Sequence, residues 1–334
     1  MRKRATVREV AAATGMSIAT VSRVINGRGN VAEHTRDAVL RAIRELGVPA
    51  PRPRRESARR GSVYVRCPYL LTDYFGLIVS SVVEALALHD VEVVLDAGSA
   101  MQKRRPLPGL AGRPDISGAV LVLPPEPVEE LDGLRAAGFP LVVIDPRVPL
   151  PDDVVSVSAA HFLGARTVMS HLVECGHRRV GVIGGPPEWL ASGRRLAGFA
   201  SALADIGVLQ PPRLVVEVDE PTEEKGRLAA GELLDLSQRP TALVAFNDKM
   251  AVGALKAAAA RGLSVPGDVS VAGFDDIDLS RACVPELTTV RQPLREMGRM
   301  GASLLVRQLE RHDLEASHVE LATALVVRGS TGPA

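Results

Sequence analysis

At 334 residues, 46% hydrophobic and 24% charged, the chain is long enough for about two to three ordinary domains with real cores, which excludes disorder as the default reading. Its net charge of +1 conceals a division: residues 1–61 hold 14 Lys and Arg against 5 Asp and Glu, a net of +9, and the remainder holds 26 against 34, a net of −8. A basic head on an acidic body points to a polyanion partner for the head alone, because a phosphate backbone rewards local charge whatever the total.

The first element is announced by TVRE at residues 6–9, a capping box in which Thr6 accepts from the backbone three residues on and Glu9 reaches back. Val7, Val10 and Ala11 then give a short helix with one apolar stripe. After Gly15, Ser17 is placed to cap a second helix running to Asn26, with Gly27 as its terminator. Val21, Val24 and Ile25 form its buried stripe at i, i+3, i+4. Its other face, Ile18, Ala19, Ser22, Arg23 and Asn26, is a strip of small, hydroxyl, cationic and amide side chains, whereas a merely solvated face would be rich in Glu and Lys. From about Ala32 a third stripe, Val39, Leu40, Ile43 and Leu46, closes at Gly47. Two helices joined by a tight Gly-containing turn, with a polar strip on the second, form a helix-turn-helix arrangement.

Residues 48–61, VPAPRPRRESARRG, lose all periodicity and read as a Pro-stiffened, Arg-rich linker. Beyond it, short β-branched runs alternate with helix-length segments: VYVRC, VEVVL, GAVLVL, PLVVID, RVGVIGG, LVVEV, TALVAF and DVSVAGF. That alternation predicts parallel sheets covered by helices on both faces, with enough chain for two lobes. Ligands of open α/β sheets bind beyond the carboxyl ends of strands, which draws attention to Asp145, to Asn247 and Asp248, and to Asp275 and Asp276.

Signals for other chemistry are weak. GRGNVA follows a helical pattern where a dinucleotide fingerprint needs a strand, VIGGPP lacks the ending of a phosphate loop, and no GxSxG elbow occurs. His171, Cys175 and His177 straddle a helix end without a second pair of ligands, and Cys67, Cys175 and Cys283 have no CxxC spacing, so neither a zinc site nor a disulfide framework is expected. The basic start runs into no apolar segment, and no run of about 18 apolar residues occurs, so a cytoplasmic protein without membrane association is expected. No nucleophile, base or cofactor can be named; the expectation is no enzyme and no cofactor.

The stretch TVREVAAATGMSIATVSRVINGRGNVAEHTRDAVLRAIRELG, together with HLVECGHRRVGVIGG, RRLAGF, PTALVAFNDKMAVGAL and VPGDVSVAGFDDIDLS in the body, resembles the LacI/GalR family of bacterial transcription regulators over nearly the whole chain. The resemblance implies an all-α helix-turn-helix head on an α/β, periplasmic-binding-protein-like (type I), two-lobed body with parallel sheets. Its implied domains are a DNA-binding head at 1–47, a hinge linker at 48–61 and an effector-binding and dimerisation body at 62–334. The lobes of that body would be about 62–160 with 292–319, and 161–291 with 320–334. Carried onto matching positions, the DNA-binding set is Thr6, Ser17, Ile18, Ala19, Thr20, Ser22, Arg23 and Asn26. Ile18, Ala19 and Arg23 would face the major groove, and Thr6, Thr20, Ser22 and Asn26 would hold phosphates. Arg reads guanine O6 and N7 bidentately, and Ala and Ile suit a thymine methyl.

The implied effector set is Asp73, Phe75, Asp145, His161, Arg195, Asn247, Asp275 and Gln292, carboxylates, amides and a guanidinium suited to vicinal hydroxyls, with Phe75 for a ring face. His161 stands where Asn is more common in the family. Three departures stand out. The linker lacks the leucine that wedges into the minor groove, Pro221 replaces an aromatic before TEEKG, and SAMQKRRPLPGLAGRPDIS is short and Pro-rich. The resulting expectation is a homodimeric regulator, a repressor, of a near-palindromic operator, modulated by a sugar or related molecule. With no heptad segment in the ending VVRGSTGPA, a tetramer built through a C-terminal coiled coil is not expected. The alternatives are a constitutive DNA-binding protein without effector, a sugar-binding module of the transport type, or a sugar-active enzyme.

Overall fold

The computed structural model describes residues 7–25, 32–45, 61–312, 314 and 316–334. The chain divides into two compact units, Met1–Arg60 and Gly61–Ala334.

In the first unit, helices α1 (Val7–Thr14), α2 (Ile18–Ile25) and α3 (Glu33–Glu45) share one small core of Val10, Ala11, Val21, Val24, Val39 and Ile43, with Met16 at its edge. Gly15, at φ +67°, makes the turn between α1 and α2 that a side chain would strain. Ser17 caps α2, its hydroxyl accepting from the Thr20 N–H at 3.1 Å. One expected core position fails: Leu40 is 46% exposed, and Ala42, two residues on, is buried instead. Thr6 of the expected capping box, Asn26, Leu46 and the linker from 48 to 60 lie outside the described residues.

The second unit is built on two six-stranded sheets. Its elements in chain order are β1 (Ser62–Cys67), α4 (Asp73–Ala87), β2 (Val93–Ala97), β3 (Ile116–Val122), α5 (Val128–Ala136), β4 (Leu141–Ile144), β5 (Val155–Ala159), α6 (His161–Glu174), β6 (Val180–Gly184), α7 (Leu190–Ala204), β7 (Val215–Glu217), α8 (Glu223–Leu234), β8 (Ala242–Ala245), α9 (Asp248–Ala259), β9 (Ser270–Asp275), α10 (Leu279–Ala282), β10 (Thr288–Arg291), α11 (Leu294–Leu309), β11 (His318–Leu321) and β12 (Ala324–Val326). The first sheet runs β11-β5-β4-β3-β1-β2 and is parallel throughout; the second runs β12-β10-β9-β8-β6-β7, with only β12 antiparallel to its neighbour. Central strands such as β4 (LVVI) and β8 (ALVA) are buried along their whole length because helices cover both faces. The chain passes between the sheets three times, after β5, after β10 and between β11 and β12.

The short Pro-rich passage between β2 and β3 forms two 3-10 helices, Ser99–Lys103 and Leu107–Gly112. Leu107 and Leu110 still close the sheet face against Tyr64, Leu121 and Leu134. Arg66, fully buried at the end of β1, pins this passage: it pairs with Asp96 at 3.0 Å and Glu126 at 2.5 Å, and donates to the carbonyls of Met101 and Arg104. His177 bonds Thr241, Ser270 and the Gly332 carbonyl, and His171 bonds Thr331, so both histidines hold the C-terminal segment against the second sheet.

Helices α6 and α7 approach closely because α7 carries Gly198 at the crossing. A Cβ there would lie 2.3 Å from the Phe162 carbonyl oxygen and 2.8 Å from the Ala165 Cβ. Since α6 begins with His161 and α7 carries Arg195, this contact also sets the spacing of two polar side chains. Gly198→Ala is therefore expected to destabilise the body by about 1 to 3 kcal/mol. Urea unfolding measures it, and a wild-type midpoint would show that the helix pair gives way without cost.

Candidate functional site

A cavity of about 560 Å³ lies between the two sheets of the body, at the carboxyl ends of β1, β4, β8 and β9. Its walls include Tyr69, Tyr74 and Phe75 from the first lobe and Trp189 and Phe246 from the second, half of the ten aromatic residues in the chain. Tyr69 and Phe75 stack at 4.4 Å between centroids, and Trp189 meets Phe246 edge-on at 6.2 Å. Apolar faces with a few convergent polar groups are the usual make-up of a small-molecule site.

The polar groups form one connected chain. Tyr74 donates to Asp145 Oδ2 at 2.7 Å, and His161 Nε2 lies 2.9 Å from Asp145 Oδ1. The Arg195 guanidinium donates to His161 Nδ1 at 3.3 Å and to the Phe246 carbonyl, stands 3.8 Å from Asp275 Oδ1, and lies over the Phe246 and Phe274 rings. Gln292 donates to Asp275 Oδ1 at 2.6 Å. Because Arg195 has only donors, His161 Nδ1 must accept, so the histidine is neutral with its proton on Nε2, donated to Asp145. Burial pushes the His161 pKa down and agrees with that assignment.

Burial acts oppositely on the two acids. It raises Asp145, but His161, Tyr74 and Arg195 overcome it and hold that carboxyl below its ordinary value. Asp275, with fewer partners and the Asp145 charge nearby, is pushed up to about 7 by burial. Behind it Asp248, fully buried, is driven well above the carboxylate range by burial and by Asp275, and accepts from Thr289 and from the Ile277 N–H. The backbone at these strand ends is strained, with positive φ at Leu123 (+45°), Asp145 (+54°), Asp275 (+126°) and Asp276 (+56°).

Phe75, Asp145, Arg195, Asn247 and Asp275 line the cavity. Asn247 is also the N-cap of α9, its Oδ1 accepting from Met250 at 2.9 Å and its Nδ2 donating to the Pro221 carbonyl. His161 sits behind the wall and acts on the cavity through Asp145 and Arg195. Asp73 is not in the cavity: it is the exposed first residue of α4 and lines a neighbouring groove together with Gln292. Tyr69, Tyr74, Arg147 and Trp189 went unmarked in the sequence. For the three aromatics the one signal is how few aromatics the chain has; Arg147 has none. Pro221 lines the cavity too, with Trp189 and Phe246 supplying ring faces from the same lobe.

In the head, Ile18 is 52% exposed on α2, and Ser17 and Thr20 bond each other at 2.8 Å beside it. Ala19, Ser22 and Arg23 belong to the same helix, while Thr6 and Asn26 fall outside the described residues. No helix among the described residues is long and apolar enough to cross a membrane.

A helix-turn-helix unit joined in one chain to a two-lobed body with a polar, aromatic-walled cavity defines a DNA-binding regulator that answers to a small molecule. Residues 6–48 match the profile of the bacterial regulatory proteins of the lacI family, and residues 169–331 match a periplasmic binding protein-like domain. The HTH-type transcriptional repressor CytR of Escherichia coli (strain K12) is 33% identical over 338 residues, spanning 98% of this chain and 96% of that protein. The HTH-type transcriptional regulator CelR of Thermobifida fusca is also 33% identical, spanning 98% of this chain and 99% of that protein. A solved transcriptional regulator CelR-cellobiose complex has a TM-score of 0.74 at 34% identity, covering 98% of this chain and 100% of that one. The chain belongs to the lacI family of bacterial regulatory proteins. It is a ligand-responsive, DNA-binding transcription regulator, and as a member of that family it is not an enzyme.

The upward shift of Asp275 gives body stability a pH dependence. An unfolded Asp loses its proton near pH ~4, whereas folded Asp275 keeps it to about 7. Between those values the native state binds more protons, so its stability falls as pH rises. Asp275→Asn removes that loss and is expected to gain on wild type by at least about 1 kcal/mol between pH ~4 and ~8. Urea unfolding across that range checks it; a difference independent of pH would mean that Asp275 ionises like a free carboxylate.

Proposed function

We propose that this regulator is a homodimeric repressor of a near-palindromic operator, acting in the cytoplasm, and that a sugar or related polyhydroxylated molecule in the body cavity changes its affinity for DNA. The observation that carries the effector half is the cavity itself. Asp145, Arg195, Asn247 and Asp275 offer acceptors and donors, and Phe75 and Trp189 offer ring faces, the combination that a hydroxylated ring needs. The solved relative bound to cellobiose supports a saccharide, and relatives named as repressors support the direction of control.

For the DNA half, Ile18, Ala19 and Arg23 read base edges in the major groove, and Thr6, Ser17, Thr20, Ser22 and Asn26 position the helix on phosphates. Two-fold operator symmetry asks for a two-fold protein, which the body at 62–334 provides by dimerising. The linker at 48–61, rich in Arg and without a leucine wedge, contributes phosphate charge more than a DNA kink.

Selection from a random duplex library with the full-length protein yields the operator, and titration by fluorescence anisotropy then tests the reading face. Arg23→Ala is expected to weaken specific binding by about 1 to 3 kcal/mol while leaving the body's circular dichroism unchanged. Wild-type operator affinity in the folded variant would remove Arg23 from the reading face. Failure of the wild type to select any sequence would overturn the operator-binding reading.

A further inference from the structure

One residue touches both lobes through its backbone and its side chain at once. Arg147 follows Asp145 on the loop after β4, in the first lobe. Its carbonyl accepts the Leu190 N–H at 2.6 Å. Leu190 is the first residue of α7 in the second lobe, so this bond satisfies a helix N-terminal N–H that has no partner within its own helix. The Arg147 guanidinium lies 4.7 Å from the Trp189 ring centroid in the second lobe and 5.6 Å from that of Tyr69 in the first, and it donates to the Tyr69 hydroxyl. Its Nε is buried with no partner, on a residue that lines the cavity. Among the described residues, the ion pair of Arg194 with Glu320 also joins α7 to the first sheet, but both side chains are nearly half exposed and such pairs hold little.

We propose, on the reading that the cavity is the effector site, that Arg147 is the positioning residue through which cavity occupancy sets the angle between the lobes. An occupant that offers an acceptor oxygen to the guanidinium fixes it on Trp189. The ring and the adjoining turn of α7, with Arg195 one turn further on, are then held against the first lobe. A planar guanidinium suits this place because it presents a flat face to a ring and its N–H donors at the edge, which a lysine ammonium cannot do.

Two signals read this directly. Trp189 is the only tryptophan in the chain, so tryptophan fluorescence reports on the surroundings of this one ring, Arg147 among them. The Leu190 amide reports on lobe separation by hydrogen exchange, because its acceptor is a backbone carbonyl that survives any substitution at 147. In the full-length protein, Arg147→Lys is expected to raise acrylamide quenching of Trp189 about twofold and to speed Leu190 exchange about tenfold, with the β8 amides unchanged; Arg194→Ala is expected to leave both signals near wild type. Faster quenching with unchanged Leu190 exchange would reduce Arg147 to local packing and overturn the proposal, as would an equal effect of Arg194→Ala. Cellobiose serves as a separate probe of the wild type. If it binds but does not slow Leu190 exchange, occupancy does not act through this contact and the proposal fails. If it does not bind, the saccharide reading of the cavity fails, and the Arg147→Lys and Arg194→Ala comparison decides whether Arg147 holds the lobes together.

Discussion

A carboxylate removed from water between two lobes must find its partners there, and Asp145 finds them on both sides. Its charge, only 5% exposed, is met by the Tyr74 hydroxyl from α4 and by the neutral His161 from α6, which in turn accepts from Arg195 on α7. An isolated charge in that position would cost several kcal/mol, so three helices are required to converge on one point. Gly198 lets α6 and α7 come close enough to do so, and the strained backbone at Asp145 aims its carboxylate at the same place. The relative placement of the lobes is thus tied to the same few hydrogen bonds that shape the cavity wall.

The other acids near the cavity are less well compensated. Asp275 has Gln292 at 2.6 Å but Arg195 only at 3.8 Å, and Asp248 lies deeper, engaged in holding the loop at Ile277. A site left with underused acceptors favours an occupant rich in hydroxyl or N–H donors. The aromatic walls supply the dispersion and hydrophobic part of binding without constraining orientation, which leaves orientation to the polar chain. Opposite, Arg66 fixes the 3-10 passage that brings Ser99 and Gln102 to the cavity, a second case of a buried charge network setting the path of a lining segment.

Periodicity carried the head: two apolar stripes and a Gly turn suffice to define α1 and α2, and the capping role of Ser17 is local chemistry. Leu40 was misread because a three-four spacing on a short helix leaves the width of the buried face open, and Ala42 fills that place. In the body, eight β-branched runs correspond to strands, while β5, β10, β11 and β12 were missed; these are short, interrupted by Ser or Thr, or flank the passages between lobes. The rule that ligands gather at strand carboxyl ends points to five residues, of which Asp145, Asn247 and Asp275 line the cavity, Asp248 lies behind it, and Asp276 lines the neighbouring groove and pairs with Arg291 and Arg328. Tyr69, Arg147 and Trp189 stand two to five residues beyond the ends of β1, β4 and β6, where the strand pattern has already stopped. Asp73, a position implied by the family resemblance alone, is the first residue of α4 and lines a different groove.

Regulation in this chain requires that occupancy of the body be felt by the head. An occupant controls the head only by as much as its affinity differs between the DNA-bound and free protein, and linkage makes that difference reciprocal. The most direct measurement is the operator dissociation constant with and without a saturating saccharide found by Trp189 fluorescence, set beside the dissociation constant of that saccharide with and without operator. The account predicts equal fold-changes in the two directions, of about 5-fold to 150-fold. Tight saccharide binding that leaves operator affinity untouched would contradict it.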